Sequence, residues 1–164
     1  MNRTILRGAL MAAALFTAGS AVAMPTPAYL AKAGAGDLYE TQSSKLVLAT
    51  TKSAGIRDFA NQMIADHSKS TADIKAAAMK SSLKPAPPML DAKQKSMIAA
   101  LTSAKGPMRD KLYLQQQHGA HQEALALHKD YAATGDKPAL KAVAATIVPV
   151  VEKHIASMGE LHMM

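Results

Sequence analysis

Nine positions, Ile56, Phe59, Ala60, Met63, Ile64, His67, Thr71, Ile74 and Ala78, recur at the i, i+3, i+4, i+7 spacing of one helix face. Arg57, Asp58, Gln62, Asp66, Lys69 and Asp73 fall on the opposite side. A segment patterned this way cannot alternate as a strand, because the strand period of two would scatter its apolar residues over both faces. It predicts a helix over 55–81, with Ser53-Ala54-Gly55 breaking the pattern before it. Composition agrees: only 4% of the residues are aromatic and there is no Trp, so the side chains that sheets draw on are scarce.

The remaining elements follow from punctuation. No proline interrupts 28–52, which predicts a first helix. Prolines 85, 87 and 88 make 81–88 a connection. Asp91, with Gln94 three residues on, caps a short helix over 91–104, and Gly106-Pro107 stops it. A long helix is predicted over 108–133, with Gly119 inside it at a cost of roughly 1 kcal/mol relative to Ala. Gly135-Asp136-Lys137-Pro138 supplies a stop, an N-cap and a first-turn proline for a last helix over 137–161. Leu140, Val143, Ala144, Ile147, Val151, His154, Ile155 and Met158 keep helical spacing there, and Pro149 is expected to kink it. Short loops make two antiparallel hairpins, joined by one long crossover that carries the short extra helix. That connectivity predicts an all-α, ferritin-like four-helix bundle.

Residues 1–23 read as a signal peptide. Arg3 and Arg7 precede an apolar run from Gly8 to Ala18, and Ala21-Val22-Ala23 is a small-x-small cleavage pattern. The run is short of the roughly 20 residues a membrane span needs. Cleavage after Ala23 would export the domain 24–164, to the periplasm in a host with two membranes. No transmembrane segment is then expected.

Forty-nine per cent hydrophobic residues are enough for a packed core in 164 residues. The absence of cysteine excludes disulfides, thiolate zinc sites, iron–sulfur clusters and Cys nucleophiles. The formal charge is +7, but the lysines are scattered among acids, and stacking platforms are few. Nucleic acid is therefore not an expected partner. A solvated lysine face explains the charge, with at most weak association with an anionic envelope surface. No Gly-x-Ser-x-Gly, phosphate loop or His-Glu-x-x-His occurs, which argues against an enzyme of those classes.

The run from Asp58 to His67, the stretch from Tyr113 to Leu127 with His121-Gln122-Glu123-Ala124-Leu125, then Pro149 and His154, resembles the family called domain of unknown function 4142. The resemblance covers roughly 28–161, and Met63-x-x-Asp66-His67 is its most specific piece. It implies an exported bacterial protein of the ferritin-like superfamily and leaves the reaction open. Where the family usually has Asp-His on the second hairpin, this chain has Ala120-His121.

The six histidines carry the candidate chemistry. His67, His121 and His154 share faces with core positions of three helices, and Glu40 lies near the stripe of Ser44, Val47 and Thr51 on the first. Glu40, His67, His121 and His154 are the expected inward ligands of a single transition-metal ion (Cu, Zn, Fe or Ni), a donor set that suits those metals. His118, His128 and His162 are secondary candidates. A di-iron centre would need Glu-x-x-His on two helices, but Ile64 and Val151 stand three residues before His67 and His154. Met63, Met79, Met89, Met97, Met108 and Met158 are expected mostly in the core, and the tail from Glu160 to Met164 is a further His/Met candidate for copper. The alternative is a non-enzymatic envelope protein, serving structure, stress tolerance or interaction, whose core histidines are hydrogen-bonded without metal.

Overall fold

A computed structural model describes residues 23–162, excluding the His162 side chain. The expected leader and the tail methionines lie outside these residues. Five helices follow one another: α1 (Thr26–Leu48), α2 (Ala54–Lys80), α3 (Ala92–Ser103), α4 (Gly106–Thr134) and α5 (Pro138–His162). Among the described residues no helix is long and apolar enough to cross a membrane.

Two apolar layers fix the packing. Val47, Ile56, Phe59, Met63, Leu101, Tyr113, Leu114 and Met158 form one. Tyr29, Ala33, Ile74, Ala77, Ala78, Tyr131, Leu140, Ala144, Ile147 and Val151 form the other. The end of α1 and the start of α2 thus share a layer with the start of α4 and the end of α5. Hence α1 and α5 run one way, α2 and α4 the other. Contacts order the helices α1, α2, α5, α4 around the bundle, with α3 laid against α1 and α4. The chain is the expected all-α bundle of two hairpins, and its crossover travels from the lower layer to the upper one.

Local signals act where the sequence put them. Ser53 accepts the Ile56 amide at 3.3 Å and starts α2. Asp91 and Gln94 close a reciprocal capping box on α3, with bonds of 2.7 and 3.0 Å. Gly106 has φ +50°, which its missing Cβ permits, and Pro107 follows in the first turn of α4. α5 continues through Pro149, which like Ala145 one turn earlier is exposed. α1 stops at Leu48, short of the expected residue 52, because Thr51 turns inward: it donates to Asp110 at 2.9 Å and accepts from the Ser53 amide at 3.2 Å. Met63 and Met158 are core residues as expected. Met79, Met89 and Met108, expected mostly in the core, are instead exposed at 63, 79 and 69%, at the α2 end, on the crossover and at the α4 start.

Arg109 fastens the upper end. Its buried guanidinium donates to the carbonyls of Leu46 (3.2 Å), Thr102 (3.1 Å) and Ala104 (3.0 Å) and to Thr50 Oγ1 (3.0 Å), joining α1, α3 and α4. Arg109→Met would strand these acceptors. Thermal unfolding should show a loss of about 2–4 kcal/mol, a Tm lower by roughly 5–15 °C.

In the lower layer Tyr29 and Tyr131 stack with centroids 3.8 Å apart, and the Tyr29 hydroxyl lies 3.1 Å from His128 Nδ1. Burial pushes the His128 pKa down to about 4, Asp37 only partly opposing it. The unfolded chain therefore takes up a proton, as pH falls from about 6.5 towards 4, that the folded chain refuses. Stability is full above that window and declines through it, by up to about 1.4 kcal/mol per pH unit. Urea unfolding at pH 7.5 and pH 5 should show a smaller acid loss in His128→Gln than in the parent.

Candidate metal centre

Between the two apolar layers lies a polar level. α2 brings His67 into it, α4 His121 and α5 His154, each on the helix face that otherwise carries core side chains. All three are buried, and one ring nitrogen from each lies within 4.8 Å of the other two. Ring centroids stand 5.3–5.6 Å apart, at interplanar angles of 46–86°. Phe59 closes the upper side, 6.4 Å from His154 and 6.5 Å from His121.

Each ring is oriented by an oxygen acceptor. His67 Nδ1 donates to Asp37 Oδ1 at 2.8 Å, and Thr71 holds the other Asp37 oxygen at 3.0 Å. His121 Nδ1 donates to the Gln117 carbonyl at 2.9 Å. His154 Nε2 donates to Asp66 Oδ2 at 2.8 Å. A carbonyl or carboxylate accepts only, so these contacts fix the tautomers. The neutral rings carry their lone pairs on His67 Nε2, His121 Nε2 and His154 Nδ1. Among the described residues His67 Nε2 is buried without a partner. His121 Nε2 and His154 Nδ1 face each other at 3.2 Å, two lone pairs with no hydrogen between them. A cation, either a proton or a metal ion, resolves that repulsion. Ligand nitrogens held by second-shell carboxylates and carbonyls are the usual construction of histidine metal sites.

Electrostatics keep two of the three rings neutral and favour a proton on the third. Burial, then the charges of His67 and His154, pushes His121 down to about 3. Burial also lowers His154, though Asp66 opposes it. For His67 burial is outweighed by the Asp37 hydrogen bond and the charges of Glu40, Asp37 and Asp66, so its pKa is raised.

Glu40 is not with the three nitrogens. It is buried at the same level, but its Oε1 approaches the far edge of the His121 ring, 3.7 Å from Nδ1, and Oε2 has no partner. Burial lifts its pKa to about 7, with His67 and the Gln117 side chain pulling it back. The geometry makes it a neighbour of the site rather than a fourth ligand. His118 is exposed on α4, so the His118/His121 pair does not converge. His128 is buried but engaged by Tyr29, and the His162 side chain lies outside the described residues. Of Asp37 and Asp66, the residues that aim the rings, Asp66 is adjacent to His67 in the sequence but was expected on the opposite face, and Asp37 lies on α1 one turn before Glu40. That Asp66 serves His154 on another helix, and that Gln117 serves through its backbone, had no sequence signal.

A cleft of about 850 Å³ between α1 and α4, partly under the crossover and α3, reaches this level and touches Asp37, Glu40 and His67. A smaller opening of about 130 Å³ reaches His67 and His154 between α2 and α5.

Comparison with known proteins bears on the fold. The fold resembles a DUF305 fragment from Deinococcus radiodurans (TM-score 0.73, 14% identity, covering 85% of this chain and 96% of that one). It also resembles a DUF305 protein from Streptomyces coelicolor, a candidate secreted protein (TM-score 0.70, 16% identity, 84% of this chain and 91% of that one). At these identities the likeness is one of fold. No curated protein matches the chain. The model of the domain of unknown function DUF4142 matches residues 12–161, so the chain belongs to the DUF4142 family.

Proposed function

We propose that this is an exported helical-bundle protein that binds one transition-metal ion through His67 Nε2, His121 Nε2 and His154 Nδ1. The 3.2 Å contact between two lone-pair nitrogens carries the reading, with the orphaned His67 nitrogen beside it. Three imidazoles suit Zn, Cu, Fe or Ni, and the carboxylates Asp37 and Asp66 behind two of them offset the ion's charge. The donor set lacks the bridging carboxylates of a di-iron centre, so ferroxidase chemistry is not part of the proposal. Export rests on the leader pattern of residues 1–23, with cleavage after Ala23; the Streptomyces coelicolor neighbour, a candidate secreted protein, points the same way.

The competing metal-free reading needs a proton shared between His121 and His154, and it leaves His67 Nε2 without a partner. Titration calorimetry and elemental analysis of chelator-treated, untagged protein separate the two. One equivalent of metal should bind, raising the Tm by roughly 5–10 °C at a hundredfold excess over Kd. The double substitution His67→Ala, His121→Ala should abolish both effects. If none of the four metals is retained or shifts the melt, the reading is wrong. Asp37→Asn keeps the donors and loosens one ring, so its affinity should drop about 10–100-fold. Because His67 is held above its ordinary pKa, binding releases its proton, and affinity should weaken steadily as pH falls below neutrality.

A further inference from the structure

Three nitrogen donors do not fill a coordination sphere. A closed structural zinc site has four protein ligands, whereas three leave a position for water or another molecule. Glu40, the nearest further carboxylate, stands behind His121, so the protein does not supply the fourth donor from there.

The 850 Å³ cleft is far larger than a route for an ion needs to be, and falls within the range of small-molecule sites. Its walls are small and apolar where α1 and α4 face each other, at Ala35, Gly36, Ala120 and Ala124. Its floor holds two buried side chains with unpartnered atoms, His67 Nε2 and Glu40 Oε2. His67 is the one member of the triad that lines it. The α2–α5 opening, at about 130 Å³, lies below the range of sites for larger organic molecules.

The cleft also has a sign. On a chain of net charge +7, it gathers Asp37, Glu40, Asp91, Glu123 and Asp130 against Lys32 and Lys93. Lys93 is already paired with Glu123. With Asp37 and Asp66 offsetting the ion and Glu123 paired to Lys93, Glu40, Asp91 and Asp130 stand against Lys32 alone, and a recess with that excess of carboxylates favours a cation over an anion.

We infer that the α1–α4 cleft is the binding site of a small organic molecule, uncharged or positively charged, whose donor atom completes the coordination of the ion held by His67, His121 and His154. The molecule has an apolar body for the alanine walls and a lone pair, on nitrogen or sulfur, for the metal. A hydrogen-bond donor on it would meet Glu40 Oε2. This rests on the metal reading above.

Gly36 gives a clean test. Gly36 lines the cleft and a Cβ there meets nothing within 4 Å, so a larger side chain has room to occupy part of it. Leucine also suits a helix better than glycine. Chelator-treated protein is loaded with Co(II), whose visible bands report coordination, and titrated with imidazole, an aminopropyl-imidazole and an imidazolyl-propionate. All three present the same donor and differ in tail charge. The amine should bind about fivefold or more tighter than the carboxylate. Gly36→Leu should retain its Co(II) bands and weaken the imidazole adduct at least about tenfold. Gly36→Ala should behave as the parent. If the parent takes up neither Co(II) nor any of the four metals named above, the metal reading falls and this inference with it. If Co(II) binds but imidazole leaves the bands unchanged, or if Gly36→Leu binds imidazole as the parent does, the metal reading stands and the cleft is not the ligand site. Equal affinity for the amine and the carboxylate overturns the charge assignment.

Discussion

The structure depends on how a four-helix bundle accommodates a polar level in its middle. Removing charged and hydrogen-bonding groups from water is costly unless each finds a partner. Here the partners come from neighbouring helices. Asp37 of α1 holds His67 of α2, Asp66 of α2 holds His154 of α5, His154 meets His121 of α4, and Glu40 of α1 lies against His121. The polar contacts form a closed circuit in the same order as the helices pack. A bundle with any other neighbour order would separate these pairs, so the circuit specifies the arrangement as well as the site.

The circuit is closed in connectivity and open in chemistry. Every ring has one nitrogen committed to an oxygen and one committed to nothing that can donate. The apolar layers above and below intensify the consequence, since lone pairs facing each other in a low-dielectric interior are not screened. Tyr113 and Tyr39 are satisfied by Ser44 and Gln116 at 2.8 Å each. Among the described residues Ser70 Oγ, Asp110 Oδ1 and Gln117 Oε1 are also buried without a partner, but only His67 Nε2 and Glu40 Oε2 belong to the candidate ligands. Small residues on facing helices then leave the level reachable from one side.

Much of this was legible in the chain. The α2 and α5 stripes place His67 and His154 among Phe59, Met63, Ile74, Ile147, Val151 and Met158, and those residues are buried together. α1 was harder to read, because it buries Asp37, Glu40, Ser43 and Ser44 along with Tyr29, Tyr39 and Val47. A helix that turns polar groups inward has no clean amphipathic stripe. The same mixture made Glu40 look like a ligand: periodicity finds the face a residue occupies, not the side of an imidazole it approaches. His118 shows the complementary limit, since one residue's rotation from Gln117 takes it from the core to solvent.

The amino-acid order alone determined the order of the helices, most of their breaks, the hairpin pairing, and that His67, His121 and His154 point inward, because these depend on period and on local hydrogen bonding. Tertiary structure decided which nitrogen of His67 and of His154 is free, which carboxylate serves which ring, and that the free nitrogens share one level. Those are relations between residues 30–88 positions apart in the chain. They are set by how far each helix slides along its neighbour, and no local pattern encodes that distance.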